Sequence, residues 1–447
     1  MLTKSFKAKP KDILSNVQQN KAWKTLTNCQ KRFFKAFDEG HNILLTGAAG
    51  VGKSHSLSLL FSVLDECNIP YGKTATTGIA ALNIGGSTIH SFCGVGLAND
   101  DIGEIMKRVF RNKKATARMR VAKILCIDEI SMCSGDLLEK INTVLKIIRK
   151  DKSPFGGIQV IFCGDFLQLP AVFKTDDDPL FCFETQTWES ANIKTILLEE
   201  IVRQDNSSEF AKLLNNIRVG NLDNIEILHS RINKKLDTGE LKPIKIFCRN
   251  VSVDKYNQVC LDKINSKTYS YQSLDMGESY HIDYFNKNSL AVQNLKIKIG
   301  AQVMLIYNID VENGLVNGSM GIIKAIEDNL PKVEFANGQS IIVEKQSWEI
   351  KEQIVVKNRE GVEEIKYRTV AKRTQIPLKL AFSSTLHKSQ GLTLSYADLD
   401  FSDAFESGMV YVGLSRVRDI NNLTLKPFNL SKIKVNQKCL DFYENIK

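Results

Sequence analysis

Gly47, Gly50, Gly52, Lys53 and Ser54 stand in the run GAAGVGKSHSL at the spacing G-x-x-x-x-G-K-[ST]. Glycines so placed let successive backbone N–H groups converge on one anion. A helix starting near Lys53 would add its positive N-terminal end. Phosphate suits such a cradle: the Lys53 ammonium would reach the outer phosphates of ATP, and the Ser54 hydroxyl would ligate Mg²⁺. The candidate nucleotide loop is therefore Gly47, Ala48, Ala49, Gly50, Val51, Gly52, Lys53, Ser54 and His55. The alternative, a Gly-rich turn with a stray lysine, fits the flanks poorly. Asn42–Thr46 reads as a buried strand and His55–Asp65 as a helix.

Two further groups could complete the chemistry. Asp128 and Glu129 close the apolar run AKILCI, and strand ends are where such sheets bind ligands. Asp128 there would hold Mg²⁺, and Glu129 would orient and deprotonate an attacking water. Gln168, in GDFLQLP at the end of the next apolar run, could contact the γ-phosphate and report its loss. The alternatives are a surface Asp-Glu turn and a polar loop.

Positioning these residues requires a sheet. Strand and helix patterns alternate from the P-loop through IQVIFCGD and IKTILLEE, the pattern of a parallel sheet covered on both faces. The first lobe is assigned to residues 26–195, after a basic arm at 1–25. A second series, including PIKIFCRN, gives a second lobe over 196–294 and 374–447. Between its halves, residues 295–373 change texture to short alternating segments joined by Asn-Gly and Glu-Gly turns. That predicts an inserted small antiparallel β-barrel.

Composition narrows the class. With 43% hydrophobic and 25% charged residues, the 447-residue chain reads as an ordinary globular protein. It shows no secretion signal and no apolar run long enough for a bilayer. Ten cysteines without CxxC pairs read as reduced thiols in an intracellular reducing compartment, and a zinc site is not expected. The expected settings are the cytoplasm of a bacterium or virus-infected cell, or a nucleus. Met1–Ala36 holds nine Lys/Arg against one acid, and Lys107–Lys123 holds eight against none. Two such segments on a chain of net charge +10 point to a polyanion partner, with two solvated faces as the bland alternative.

GAAGVGKS, TTGIAALNIGGSTIHSF, IDEIS, PFGGIQVIFCGDFLQLPAV, FAKLLNNIRVGNL, TLHKSQGLTL and YVGLSRVR occur in this order. Together they resemble the Pif-one/RecD-like 5′-to-3′ DNA helicases of superfamily one, B branch, over nearly the whole chain. The resemblance implies two RecA-like lobes with ATP between them, a wedge inserted in the first near 93–120, and the barrel in the second. It implies that Arg203 and Arg416 act as arginine fingers from the second lobe, that Gln168 senses the γ-phosphate and that Gln30 reads adenine. Single-stranded DNA would be held by Thr77, His90 and Phe92 on the first lobe, and by Thr385, His387 and Lys388 on the second. Phe92 would stack on a base, the alternative being core packing. Ala171 and Gly413 replace residues common in the family, Pro and Ala, without touching the chemistry.

The implied activity is ATP-driven translocation on single-stranded DNA and unwinding of tailed, forked or G-quadruplex DNA in replication, recombination or repair. The enzyme is expected to be a monomer. Competing readings are an RNA helicase, a protein-stripping translocase, or a nucleotide-switched single-strand-binding protein.

Overall fold

The computed structural model describes residues 13–171, 180–200, 209–249, 253–310, 313–357 and 363–446. Six strands form the first sheet: β1 (Ile43–Gly47), β2 (Tyr71–Ala75), β3 (Ser87–Thr88), β4 (Ile124–Asp128), β5 (Gln159–Cys163) and β6 (Lys194–Leu198). All pair in parallel, in the order β3-β2-β4-β5-β1-β6. Leu44, Leu125 and Ile127 point into one core, and Ile43, Leu45, Ile124 and Cys126 into the other. Both faces are covered, which is why these strands read as unbroken apolar runs. Parallel pairing also brings the carboxyl ends of β1, β4 and β5 to one edge, the place such sheets offer for a ligand.

The second lobe centres on four parallel strands in the order Ser383–Thr385, Ile244–Phe247, Ala397–Asp400, Leu423–Leu425. Its own core includes Ile244, Leu386, Leu399, Tyr411 and Leu414. The insertion is antiparallel, as expected: a five-stranded sheet drawn from 302–380 and a long hairpin, Gln346–Lys357 with Glu363–Gln375.

Several boundaries differ from the sequence reading. The insertion begins earlier than 295. Thr268–Gln272 pairs with Asn294–Lys298, and Leu274–Gly277 pairs with the hairpin. β6 pairs along β1 through Leu198, so the first lobe runs past 195. Of the arm at 1–25, residues from Ile13 onward are folded, with Ile13 and Val17 buried in the first lobe. The terminal helix Gln437–Ile446 lies in the stretch assigned to the second lobe. It packs instead on the first, burying Cys439 and Tyr443 in that lobe's core.

The segment at 93–120 carries two helices, Ile102–Arg111 and Lys113–Val121. Their inner faces, with Ile105, Val109 and Met119, belong to the first lobe's core. Its positive charge is partly consumed inside the protein. Arg118 donates to the Phe92 carbonyl at 2.7 Å, and Arg108 to that of Val95 at 2.7 Å. Lys114 pairs with Glu352 of the hairpin at 2.8 Å. Arg111, Lys113 and Lys123 stay exposed.

Candidate nucleotide cleft and strand-binding face

β1 ends at Gly47 and the next helix starts at Lys53, so the candidate loop is a strand-to-helix turn. The turn needs its glycines. Gly50 and Gly52 have φ of 85° and 86°, in the left-handed region that favours glycine, and a Cβ on Gly47 would run into the Leu198 carbonyl. The Lys53 ammonium donates to the carbonyls of Gly47 and Ala48, at 2.8 and 2.9 Å. It is thus held over the concave side of the loop.

β4 delivers the acids. Asp128 accepts the Glu129 N–H at 2.9 Å, and Glu129 adopts φ 53°, a conformation costly for any residue with a side chain. That kink turns the Glu129 carboxylate towards the second lobe, where it accepts the Gln390 amide at 3.2 Å. Burial, with the Asp128 charge beside it, pushes the Glu129 carboxyl up to about 7. Asp128 is also raised by burial. A carboxyl in that range is suited to take a proton from water.

Lys53, Ser54, His55, Asp128, Glu129 and Gln168 line one cleft of about 360 Å³, and Gly391, Arg416 and Arg418 close it from the second lobe. The structure therefore brings together the first-lobe candidates and one of the two candidate arginines. Arg203 lies outside the described residues. Arg416 is 2% exposed and bonded within its own lobe. Its Nε donates to the Val412 carbonyl at 2.7 Å and its Nη2 to the Ser415 hydroxyl at 2.7 Å.

Gln30 stands beside the loop, but its polar atoms serve other roles. Its Oε1 accepts the Thr27 N–H at 2.9 Å in a helix-capping box, and its Nε2 faces the Gly52 carbonyl at 3.4 Å.

The strand-binding candidates divide. Thr77 and Thr385 cap short helices, accepting N–H bonds from Ala80 and Lys388, both at 3.2 Å. Lys388 is exposed and His387 half-buried. Burial lowers the pKa of His387 and of His90, which keeps both imidazoles neutral further into the acid range. Phe92 corrects the expectation of a base-stacking ring. It is 2% exposed, and a Cβ on Gly72 would lie 2.8 Å from its ring edge. Core packing holds this ring because its short helix, Ile89–Cys93, lays one face on β2. His90 opens into a cavity of about 420 Å³ shared with Arg118 and with Tyr280, His281, Lys351 and Glu352 of the insertion, and the buried Phe92 contributes only to its lining.

Two residues at these sites, and a third between the lobes, escaped the sequence reading. Gln390 reaches Glu129 across the cleft. The Tyr411 hydroxyl of the second lobe accepts the Ala49 N–H of the loop at 2.8 Å. Arg218 crosses from the second lobe to Asp165 at the end of β5. Gln390 and Tyr411 sit in TLHKSQG and YVGLSR, so those quoted motifs held the signal. Thr76, next to the candidate Thr77, donates its hydroxyl to the Glu129 carbonyl at 2.8 Å, which ties the candidate strand-binding segment to the acidic one.

Comparison with known proteins matches this geometry. The profile of the PIF1-like helicase family covers residues 16–227, and that of the DNA helicase Pif1 2B domain covers residues 282–326 of the insertion. The ATP-dependent DNA helicase PIF1 of Xenopus laevis is 34% identical over 413 residues, 91% of this chain and 62% of that protein. The chain thus spans about three fifths of that relative's length. Pif1 helicase from Candida albicans is 35% identical, with a TM-score of 0.72 covering 94% of this chain and 99% of that one. Bacteroides sp Pif1 in complex with ADP-AlF4 is 29% identical with a TM-score of 0.81, covering 94% and 96%. Bacteroides Pif1 bound to ssDNA, with the same identity and coverage, gives 0.61. Sequence order, two parallel-sheet lobes and a matching insertion converge: the chain belongs to the PIF1-like helicase family.

Proposed function

We propose that this chain is an ATP-dependent DNA helicase, a motor that moves 5′-to-3′ along single-stranded DNA and opens duplex ahead of it. The observation that carries the reading is the cleft itself. Lys53, Ser54, Asp128, Glu129 and Gln168 of one lobe face Arg416 of the other across it. Phosphate binding by the loop, water activation by Glu129 and charge stabilisation from the opposite lobe are the parts of phosphoryl transfer. A nucleotide-switched binding protein would need neither a kinked, raised-pKa Glu129 nor a cross-cleft arginine.

The roles follow from position. Lys53 binds the outer phosphates, Glu129 takes the proton of the attacking water, and Gln168 contacts the γ-phosphate. Ser54 and Asp128 are hard oxygen donors in one cleft and fit Mg²⁺, which supplies charge neutralisation on the phosphates. Arg416, and Arg203 by family resemblance, reach the γ-phosphate as the lobes close. Closure and reopening shift the grip on DNA between Thr77 and His90 on one lobe and Thr385, His387 and Lys388 on the other. DNA as substrate is supported by the relatives' names and the ssDNA-bound Bacteroides neighbour. The 5′-to-3′ direction, action on forks and G-quadruplexes, a monomeric state and an intracellular location rest on the family resemblance and the free cysteines. Among the described residues no helix is long and apolar enough to cross a membrane.

The test is ATP turnover with and without single-stranded DNA, followed by unwinding of duplexes carrying a 5′ or a 3′ tail. Strong stimulation by DNA and opening of 5′-tailed duplexes alone is the expected result. Stimulation by RNA only, or turnover without any unwinding, would support the RNA-helicase or the protein-stripping reading instead.

A further inference from the structure

The run FAKLLNNIRVGNL has no part in the chemistry above, yet its last helical residue, Arg218, bridges the two lobes. It leaves the second lobe, where Phe210, Leu213, Leu214 and Ile217 of the same helix are core. It then enters the first lobe and grips Asp165 with two parallel bonds, Nε to Oδ2 at 2.9 Å and Nη2 to Oδ1 at 2.8 Å. The Asp165 side chain is fully buried and that of Arg218 is 13% exposed. Burial is the largest single influence and would raise the Asp165 carboxyl, but the charge and hydrogen bonds of Arg218, with the Lys53 charge and the Leu167 N–H, together outweigh it and hold the acid below its ordinary range.

Tyr443 of the returning terminal helix completes the cluster. Its hydroxyl donates to Asp165 at 3.1 Å and accepts the Phe166 N–H at 3.2 Å. It also lies 2.5 Å from the Thr46 hydroxyl, one residue before the nucleotide loop. The Arg218 guanidinium sits 5.0 Å from the centre of the Tyr443 ring.

Asp165 also starts the turn that carries Gln168. Its carboxylate accepts the Leu167 N–H at 3.2 Å and faces the Gln168 amide at 3.4 Å. That turn is shared between lobes: Phe166 and Leu167 lie in the first lobe's core and Leu169 in the second's. On the other side, Gly408 leads into the helix Met409–Leu414, ahead of Arg416. A Cβ on Gly408 would come within 2.6 Å of the Gln168 carbonyl. Gln168 is therefore packed into a joint where both lobes and the terminal helix meet.

We propose that Asp165, Arg218 and Tyr443 are positioning residues that form the pivot between the lobes and carry the γ-phosphate state at Gln168 into the second lobe. The proposal rests on the motor reading above. A buried ion pair adds little net stability, because desolvation offsets its attraction. What the paired fork does add is fixed geometry between two bodies that must move about a common point. A shift of Gln168 on loss of the γ-phosphate pulls on Asp165, and hence on the Arg218 helix, without a loose linker between them.

The experiment compares wild type with Arg218→Lys, Tyr443→Phe and Arg218→Ala. ATP turnover is measured with and without oligo-dT, beside the KM for ATP and the melting temperature. Arg218→Lys keeps the charge and loses the fork, and Tyr443→Phe loses only the hydroxyl. The expected result is that both keep DNA-free turnover and KM near wild type while stimulation by oligo-dT falls about tenfold, within the range of an allosteric coupling term. Arg218→Ala should lose more. Should it fail to fold, the other two variants decide. Lower melting temperatures with full stimulation in Arg218→Lys and Tyr443→Phe would make the cluster purely structural and overturn the proposal. Failure of the motor reading would appear in wild type itself, as hydrolysis that oligo-dT does not stimulate, and would overturn both.

Discussion

The two walls of the candidate nucleotide cleft are built differently. The first-lobe wall is made of strand ends and the turns that leave them, and its parts already point inward. Lys53 is held over the loop by two carbonyls, and the φ of Glu129 is set by its backbone. On the second-lobe wall Gln390 and Tyr411 already reach across, but the candidate arginine is engaged elsewhere. Arg416 is buried and bonded to Val412 and Ser415 of its own lobe. Under the proposed function, the difference implies a division of labour: one wall would be organised to bind nucleotide before the other is organised to act on it. Lobe closure would trade the Arg416 bonds to its own lobe for a phosphate.

The largest effect that would sharpen this contrast comes from the binding wall. Lys53→Ala should abolish ATP turnover while leaving much of the affinity for single-stranded DNA, because the candidate strand-binding residues lie elsewhere. Filter binding to a labelled oligonucleotide beside an ATPase assay checks it, and substantial surviving DNA-stimulated turnover would remove the loop from the nucleotide site.

Glu129→Gln should keep nucleotide affinity and lose about 10²–10⁴-fold in hydrolysis, since the amide cannot accept the proton. Loss of affinity at normal turnover, read from nucleotide titrations beside steady-state rates, would break the assignment.

Phe92→Ala tests the correction on the strand-binding face. A ring buried in the core should cost about 3–5 kcal/mol of stability on truncation. In the folded fraction, affinity for DNA should stay near wild type. Weaker DNA binding at unchanged melting temperature would restore the ring to the DNA.

The smallest effect concerns charge. Replacing exposed Arg111 and Lys113 by Gln should flatten the salt dependence of oligonucleotide binding, by about 0.7 in log–log slope for each phosphate that is no longer neutralised. An unchanged slope would take this segment off the DNA path.

Local features carried most of what the sequence revealed. The loop, the β4 acids and Gln168 are each encoded within a few residues of a strand end, and periodicity finds strand ends. Partners across the fold are not encoded that way. The helix Gln437–Ile446 has a legible apolar face, but nothing in its period says that Tyr443 turns back to the first lobe rather than staying with the second. Phe92 and a stacking aromatic are the same residue type, and only the packing around the ring, with Gly72 of a neighbouring strand close beside it, decides between them. The count of basic residues at 107–123 overstated the free charge because one acceptor, Glu352, lies more than two hundred residues away. Gln390 and Tyr411 stand within recognised motifs, yet their bonds to Glu129 and Ala49 form only once the two lobes are docked.

The most direct measurement of the divided cleft is made on Arg416→Ala and Arg416→Lys. ATP affinity without DNA, DNA-stimulated turnover and melting temperature are determined on the same preparations. If Arg416 acts only on closure, ATP affinity stays close to wild type while turnover falls by about 10³-fold or more, the scale of arginine fingers. Lys should rescue poorly, because it lacks the planar fork. If instead the bonds to Val412 and Ser415 are the whole purpose of Arg416, the variants will melt at lower temperature and their folded fraction will turn over ATP normally, which would contradict the account.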